Sequence, residues 1–341
     1  MKPLKKQILG RLEKCYSVSA MQVRGETYFF FASELAHDGV FFDAATGNRR
    51  ETFVSPGGVM SMIAWPGGEG GFLSVFGFYP PFQAAGSGLM RTVFRENGPE
   101  SREILRLPYL HRFLLTQTGS HCWLVAATVC RSKAAKDDWS SPGYVGLFPM
   151  NDQGEILCDK PEILLDGQYR NHGMSRGTVD GRSAILTASD QGVFAIYPGE
   201  LLRDWQILRM TEDASSEAAV FDLDGDGEEE LITIAPFHGS SLSIYKKAGA
   251  GNWEKVWTCR EELPFSHALW AGWFNGERTC FLGYRGGRRD LLRIRFLEDQ
   301  WRTDVIDSDV GTSNLCVVRM GKEDWLLAAN HGVGECVLYR P

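Results

Sequence analysis

No run of apolar residues in this 341-residue chain approaches the ~18 that a spanning helix requires. The opening stretch, MKPLKKQILGRLEKCYSVSA, has early lysines but no apolar segment of signal-peptide length, so the expected location is the cytoplasm. A basic surplus is missing as well. The formal net charge is −7, which argues against a nucleic-acid surface, and no membrane partner is expected. None of the eight cysteines forms a Cys-x-x-Cys pair, which argues against a zinc ribbon or a thioredoxin-type motif. In a reducing compartment they read as small apolar residues rather than a disulfide framework. Segments with helical periodicity are scarce, which leaves little room for an α-rich fold.

What the chain has instead is glycine, 38 residues of it, and short apolar or alternating runs separated by turn residues. The runs repeat. The pattern of "SEAAVFDL", a polar turn, "ELITIAP", a second turn and "SLSIYKK" recurs from Asn171, Ser266 and Ser313, and in looser form from near Ser19, Gly58 and Leu110. Each copy supplies three strands. A fourth precedes the next copy, as in "ETFVS", "REILRL", "PEILL", "WQILRM", "VWTCR" and "WRTDVID". The seventh member of that set, "KKQILGRL", stands at the N-terminus. A chain that begins with the outer strand its last repeat lacks can close into a ring and remove its open edges. The expectation is an all-β, seven-bladed β-propeller forming a single domain over residues 1–341, with Arg131 to Gly143 as a long insert in the third blade.

One turn is unlike the rest. In FDLDGDGEEELITI, from Phe221 to Ile234, Asp222, Asp224 and Asp226 alternate and Glu230 follows, with Gly225 and Gly227 permitting a tight turn. Hard oxygen donors at this spacing are suited to a structural Ca²⁺. The same aspartates can also cap turn amides with no ion at all. The equivalent turns "TVDGRSA" and "WFNGERT" have no such carboxylate set. The loop therefore speaks to architecture rather than to chemistry.

In a ring, residues at equivalent repeat positions meet at the axis however far apart they lie in sequence. The start of each innermost strand reads Met21, Met60, His111, His172, Glu217, His267 and Asn314. Three imidazoles and a carboxylate there could bind a divalent metal, with His111, His172 and His267 as axial ligands, or serve as acid and base. The structural alternative is that each histidine only caps strand ends. A second polar set follows the second strands: His37, Tyr79, Arg131, Asp190, His238, Tyr284 with Arg285, and Asn330 with His331, with Glu34 just before the first. Of these, Tyr79, His37, His238 and His331, together with Glu217 and Asn314, are the expected substrate contacts. In FGFYPPFQAAG, Tyr79, Phe82 and Gln83 would form a sugar-stacking wall, or the two prolines simply stiffen a loop. Arg285 or a metal would neutralise a carboxylate and ease removal of the neighbouring proton.

The stretches FDLDGDGEEEL, SHALWAGWFNGERTCFLGYRGG and IDSDVGTSNLCVVRMGKEDWLLAANHGVGECVLYR resemble the seven-bladed FG-GAP/VCBS propellers. That group includes the catalytic propeller of aldos-2-ulose dehydratase and the rhamnose–glucuronate and related polysaccharide lyases. The resemblance implies Ca²⁺ in the acidic turn and a sugar or uronate in the axial funnel. It also implies β-elimination by His with Tyr or a bound metal, carried over here to His111, His172, His267, Tyr284 and Arg285. Two rivals stand beside this carbohydrate lyase: a non-catalytic propeller that binds a protein or glycan, and a glycoside hydrolase. The hydrolase needs two carboxylates facing the pocket, for which Glu217 with Glu34 or Asp190 are the candidates.

Overall fold

The computed structural model describes residues 3–35, 38–54, 57–66 and 70–341. The described strands form seven four-stranded antiparallel sheets, each a blade. The innermost strands are Cys15–Val23, Met62–Ala64, Leu110–Thr118, Gly173–Val179, Glu217–Phe221, Ser266–Phe274 and Thr312–Met320. The outermost strand of the seventh blade is the N-terminal Lys5–Arg11, paired antiparallel with Glu335–Arg340, with Lys6 opposite Tyr339 and Ile8 opposite Val337. The ring therefore closes through the strand that the repeat pattern assigned to it, and the seventh blade gains its outer partner. No helix among the described residues is long and apolar enough to cross a membrane.

Burial follows position in the blade. The second strands, such as Glu26–Ser33 (ETYFFFAS) and Glu323–Asn330 (EDWLLAAN), become fully buried along their second halves. A strand covered on both faces reads as a continuous apolar run, which is why these segments do not alternate. The core is a series of interblade layers. One joins Phe29, Phe31 and Phe42 of the first blade to Leu327, Ala329 and Leu338 of the last, and so holds the closure from inside. Another stacks Phe30, Phe41, Phe53 and Phe72 between the first two blades. Each such side chain contributes about 1.5–3 kcal/mol by burial. Met21, expected at the axis, belongs to this second layer.

Polar latches hold the blades, two between neighbouring blades and one, at Tyr284, within the sixth. Tyr245 donates to Asp213 at 2.6 Å, Tyr284 to Asp290 at 2.9 Å and Tyr339 to Asp307 at 2.7 Å. In each case a buried phenol finds an acceptor and leaves its ring in the apolar layer.

Candidate functional site

The axial residues are placed by bulges. The inner-strand pairing slips between Cys15 and Ser17, Leu110 and Arg112, Ser266 and Ala268, and Thr312 and Asn314. Each slip leaves one residue out of the ladder: Tyr16, His111, His267 and Ser313. A bulge re-aims a side chain, and here it turns Tyr16, His111 and His267 toward the channel and Ser313 onto the backbone of the first blade. His172 and Ser216 occupy the matching place just before their strands, bonding through N–H to Ala188 and Ile234 at 3.1 and 2.8 Å.

Hydrogen bonds confirm the equivalence. Nδ1 of His111 donates to the His172 carbonyl at 3.1 Å, and Nδ1 of His172 approaches the Ser216 carbonyl at 3.3 Å. Nδ1 of His267 donates to the Ser313 carbonyl at 2.7 Å, and Ser313 Oγ to the Tyr16 carbonyl at 2.9 Å. Each side chain thus reaches the carbonyl of its counterpart in the next blade. Gly173 makes one step achievable, because a Cβ there would lie 2.5 Å from the Ser216 oxygen. With Nδ1–H engaged, each imidazole keeps Nε2 as a lone pair.

The ring corrects the expected register. Tyr16, not Met21, holds the first-blade position; Ser216 replaces Glu217 and Ser313 replaces Asn314. Glu217 and Asn314, one residue on, line a narrower channel of about 190 Å³ below the histidines. There Glu217 Oε1 lies 2.9 Å from His172 Nδ1 and 3.5 Å from Arg112. The approach to His172 is off the donor axis, so this buried oxygen has no aligned hydrogen bond among the described residues.

Above the ring is a cavity of about 410 Å³ whose floor includes Tyr16, His111, His172 and His267. His238 enters from the turn after the second strand of the fifth blade, at φ 48°, a left-handed conformation that His tolerates better than most residues. Its Nε2 is 3.3 Å from Nε2 of His172, and ligand nitrogens of His172, His238 and His267 all lie within 4.8 Å of one another. A tetrahedral metal with ~2.0–2.1 Å bonds would separate its nitrogens by about 3.3–3.5 Å, which the His172–His238 spacing matches; His267 would join them by giving up the hydrogen bond its Nε2 accepts from Tyr16. His238, rather than the expected His111, is the third member of this cluster. Burial first, and then neighbouring charges from His172 and nearby arginines, hold His111, His238 and His267 well below the ordinary imidazole range. All three are neutral at pH 7, the form that binds metal or accepts a proton. The Tyr16 hydroxyl donates to His267 Nε2 at 2.9 Å, and burial raises its pKa, so it keeps its proton.

Phe78, Phe237, Phe265 and Trp139 make the walls apolar. Arg285 stands against Phe265, 4.9 Å from the ring centre, and donates to Nδ1 of His331 at 3.1 Å. His331 Nε2 lies 2.9 Å from Glu34, which Arg285 approaches at 3.5 Å. Burial works to raise the Glu34 carboxyl, but the bond from His331 and the charge of Arg285 outweigh it and hold it ionised. Tyr284 lies elsewhere: it is latched to Asp290 in the interblade core and does not line the cavity. Tyr79 is 44% exposed outside the cavity lining. Asp190 pairs with Arg170 at 3.1 Å and Arg131 with Asp166 at 2.7 Å. His37 and the side chains of Phe82 and Gln83 lie outside the described residues. Tyr16, Phe237, Phe265, Trp139 and Arg112 escaped the sequence reading; aligning "KCYSV" with "FSHAL" would have found Tyr16.

The acidic turn is built differently. Asp222, Asp224 and Asp226 do converge, and each accepts a backbone N–H, from Gly225, Asp226 and Glu228 respectively, at 2.8–3.2 Å. Lys246 Nζ reaches Asp224 at 2.6 Å, Asp226, and Glu230 at 3.4 Å, while Arg278 holds Asp222 at 3.1 Å. Lys246 and Arg278 thus neutralise the set, while the three aspartates keep their ligand oxygens within 4.8 Å of one another. Burial raises Glu230 to about 7 despite two backbone N–H donors.

Compared by sequence, the chain matches no protein-family model and no curated protein. Its fold is similar to several solved propeller-like structures. It superposes on BBS1N, solved in complex with ARL6DN, with TM-score 0.62 and 12% identity over 99% of this chain and 96% of that one. For the Dos1 propeller the TM-score is 0.59 at 8% identity, over 95% and 78% of the two chains. For a candidate 6-phosphogluconolactonase of Bacteroides uniformis it is 0.54 at 12% identity, over 89% and 94%. At such identities the likeness carries the seven-bladed fold and nothing finer.

Proposed function

We propose that this protein is a carbon–oxygen lyase that eliminates across a small carbohydrate acid in the axial cavity, assisted by a divalent metal. The observation that supports this most is the convergence of three imidazoles under aromatic walls, beside an arginine. His172, His238 and His267 would hold the metal, which supplies Lewis acidity toward a carboxylate or carbonyl. Arg285 neutralises the substrate carboxylate and so acidifies the adjacent C–H. His111, neutral and with Nε2 unengaged by the ring, takes that proton. As the carbon–oxygen bond at the next position breaks, its electrons go to oxygen, and Tyr16 donates the proton that completes the leaving group. The product gains a C=C bond and loses one alcohol or water. Phe237, Phe265 and Trp139 pack against sugar C–H faces and exclude water.

A glycoside hydrolase is less well supported. Glu34 is held ionised by His331 and Arg285, Glu217 sits below the floor, and Asp190, which burial raises, does not line the cavity. Among the described residues Glu34 and Asp137 are the carboxylates at the lining, and Glu34 is already committed to His331 and Arg285, which leaves no free pair. Binding without catalysis, as in the complex that BBS1N forms with ARL6DN, is the outcome if chemistry fails. The test is incubation with a panel of uronates, aldonates and keto-sugar glycosides in the presence of Mn²⁺ or Zn²⁺, monitored by NMR for a vinyl proton. The reading expects an unsaturated product, lost in His111→Ala and Tyr16→Phe. Turnover that survives both substitutions, or no vinyl product from any substrate, contradicts it.

A further inference from the structure

The connection between the second and third strands of the third blade, His121–Thr128 and Gly143–Met150, is the longest of its kind among the described strands, ahead of the one between Gly71–Phe76 and Gly88–Arg95 in the second blade. Long ordered loops in a compact ring usually serve binding. This one is ordered from within. Asp138 accepts from the Ala134 and Ser140 amides, both at 2.9 Å, and from the Ser140 hydroxyl at 2.6 Å, contacts that pull its carboxyl down to about 2. The loop also reaches across the mouth: Trp139 packs edge-on against Phe237 of the fifth blade at 5.2 Å and lies 5.6 Å from Arg170 of the fourth. Strapped in this way, it brings Lys133 and Lys136 to the cavity lining. Lys133 Nζ donates to the Lys136 carbonyl at 2.8 Å and sits 3.2 Å from the Trp139 ring centre. No carboxylate among the described residues forms an ion pair with it, and burial lowers its pKa, so an anion arriving beside it would be welcome.

We propose that the strap makes the cavity a two-anion site, in which Arg285 takes the carboxylate at the reacting end and Lys133 with Lys136 take a second anionic group on the same sugar. The substrate class is then a carbohydrate acid carrying a further carboxylate or phosphate. Asp137, also at the lining, narrows the preference by repelling an anion placed away from the two ammonium groups. This deepens the reading of the cavity as a sugar-acid site and rests on it for the first anion only.

Binding calorimetry with four probes separates the two ideas: glucose, glucuronate, glucose 1-phosphate and glucuronate 1-phosphate, against the wild type, Arg285→Ala, and Lys133→Ala with Lys136→Ala. The strap predicts that glucuronate 1-phosphate binds at least ten-fold tighter than either single-anion probe. The double lysine variant should lose that advantage and weaken glucose 1-phosphate about ten-fold while leaving glucuronate within two-fold. Arg285→Ala should do the reverse. An unchanged probe ranking in the lysine variant overturns the proposal, and so does failure of every anionic probe to bind. Tight two-anion binding without any vinyl product upholds the strap and sinks the lyase reading.

Discussion

The axial cavity and the acidic turn each gather like groups, three imidazoles in one and four carboxylates in the other, and they handle them in opposite ways. The turn neutralises its carboxylates from within the chain: Lys246 and Arg278 sit among them, and turn amides take the remaining oxygens. The cavity leaves its histidines partnered by soft contacts. Nδ1 is engaged by the next blade's carbonyl, and Nε2 is turned inward, where that of His267 accepts from Tyr16 and that of His172 lies against His238. Carboxylates that suggest metal binding in sequence are thus partnered by cations of the chain, whereas residues scattered over the chain make the imidazole cluster, with no cation of the described residues among them.

The contrast breaks most sharply by substitution in the cavity. His111→Ala should lower turnover by about 10²–10⁴-fold, the usual worth of a general base, and should cost stability through one ring hydrogen bond, about 1 kcal/mol, and through lost packing against Phe78 and His172. Steady-state rates and thermal melts on the same preparations check both halves. At the acidic turn, Lys246→Met should cost stability and leave turnover intact, because the carboxylates of Asp224, Asp226 and Glu230 lose their shared cation. A network of this kind is worth about 1–2 kcal/mol after screening. Only this variant should then gain melting temperature on addition of Ca²⁺.

pH sharpens the same comparison. His111, His238 and His267 are held neutral in the fold, below the ordinary value near ~6.5 to which unfolding returns them. Below that pH the unfolded chain binds more protons, so stability falls as pH drops through it and is flat above. Denaturant titrations from pH 7.5 to 5 should show this loss, and His238→Gln should flatten it. Tyr284→Phe has a smaller expected effect: about 1 kcal/mol from the lost bond to Asp290, with turnover unchanged. Smallest of all, millimolar Ca²⁺ should leave the wild-type melting temperature where it is.

The fold was legible because ring closure writes itself into the chain. The segment "KKQILGRL" matches six internal outer strands, and all seven matches are strands in the structure. The site was legible only in part, for a reason of register. Period-two reasoning carries a side chain from strand to axis only while the ladder is regular, and a bulge adds one residue that no alternation pattern reveals. His111 and His267 were found because histidine is rare here, whereas Tyr16, in the same bulge, was passed over for Met21. Glu217 and Asn314 each miss by one position. Tyr284 and Arg285 are neighbours in sequence and face opposite ways, one into the interblade core and the other into the cavity. Trp139 and Lys133 arrive on an insert that follows no repeat, so only coordinates place them.

The most direct test of the central claim is calorimetric titration of metal-stripped protein with Zn²⁺ and Mn²⁺, for the wild type, His238→Ala and Lys246→Met. The cluster of His172, His238 and His267 predicts one ion per chain, lost in His238→Ala and unaffected by Lys246→Met. Absence of binding in the wild type, or equal binding in His238→Ala, would contradict the account and leave the histidines as braces of the ring.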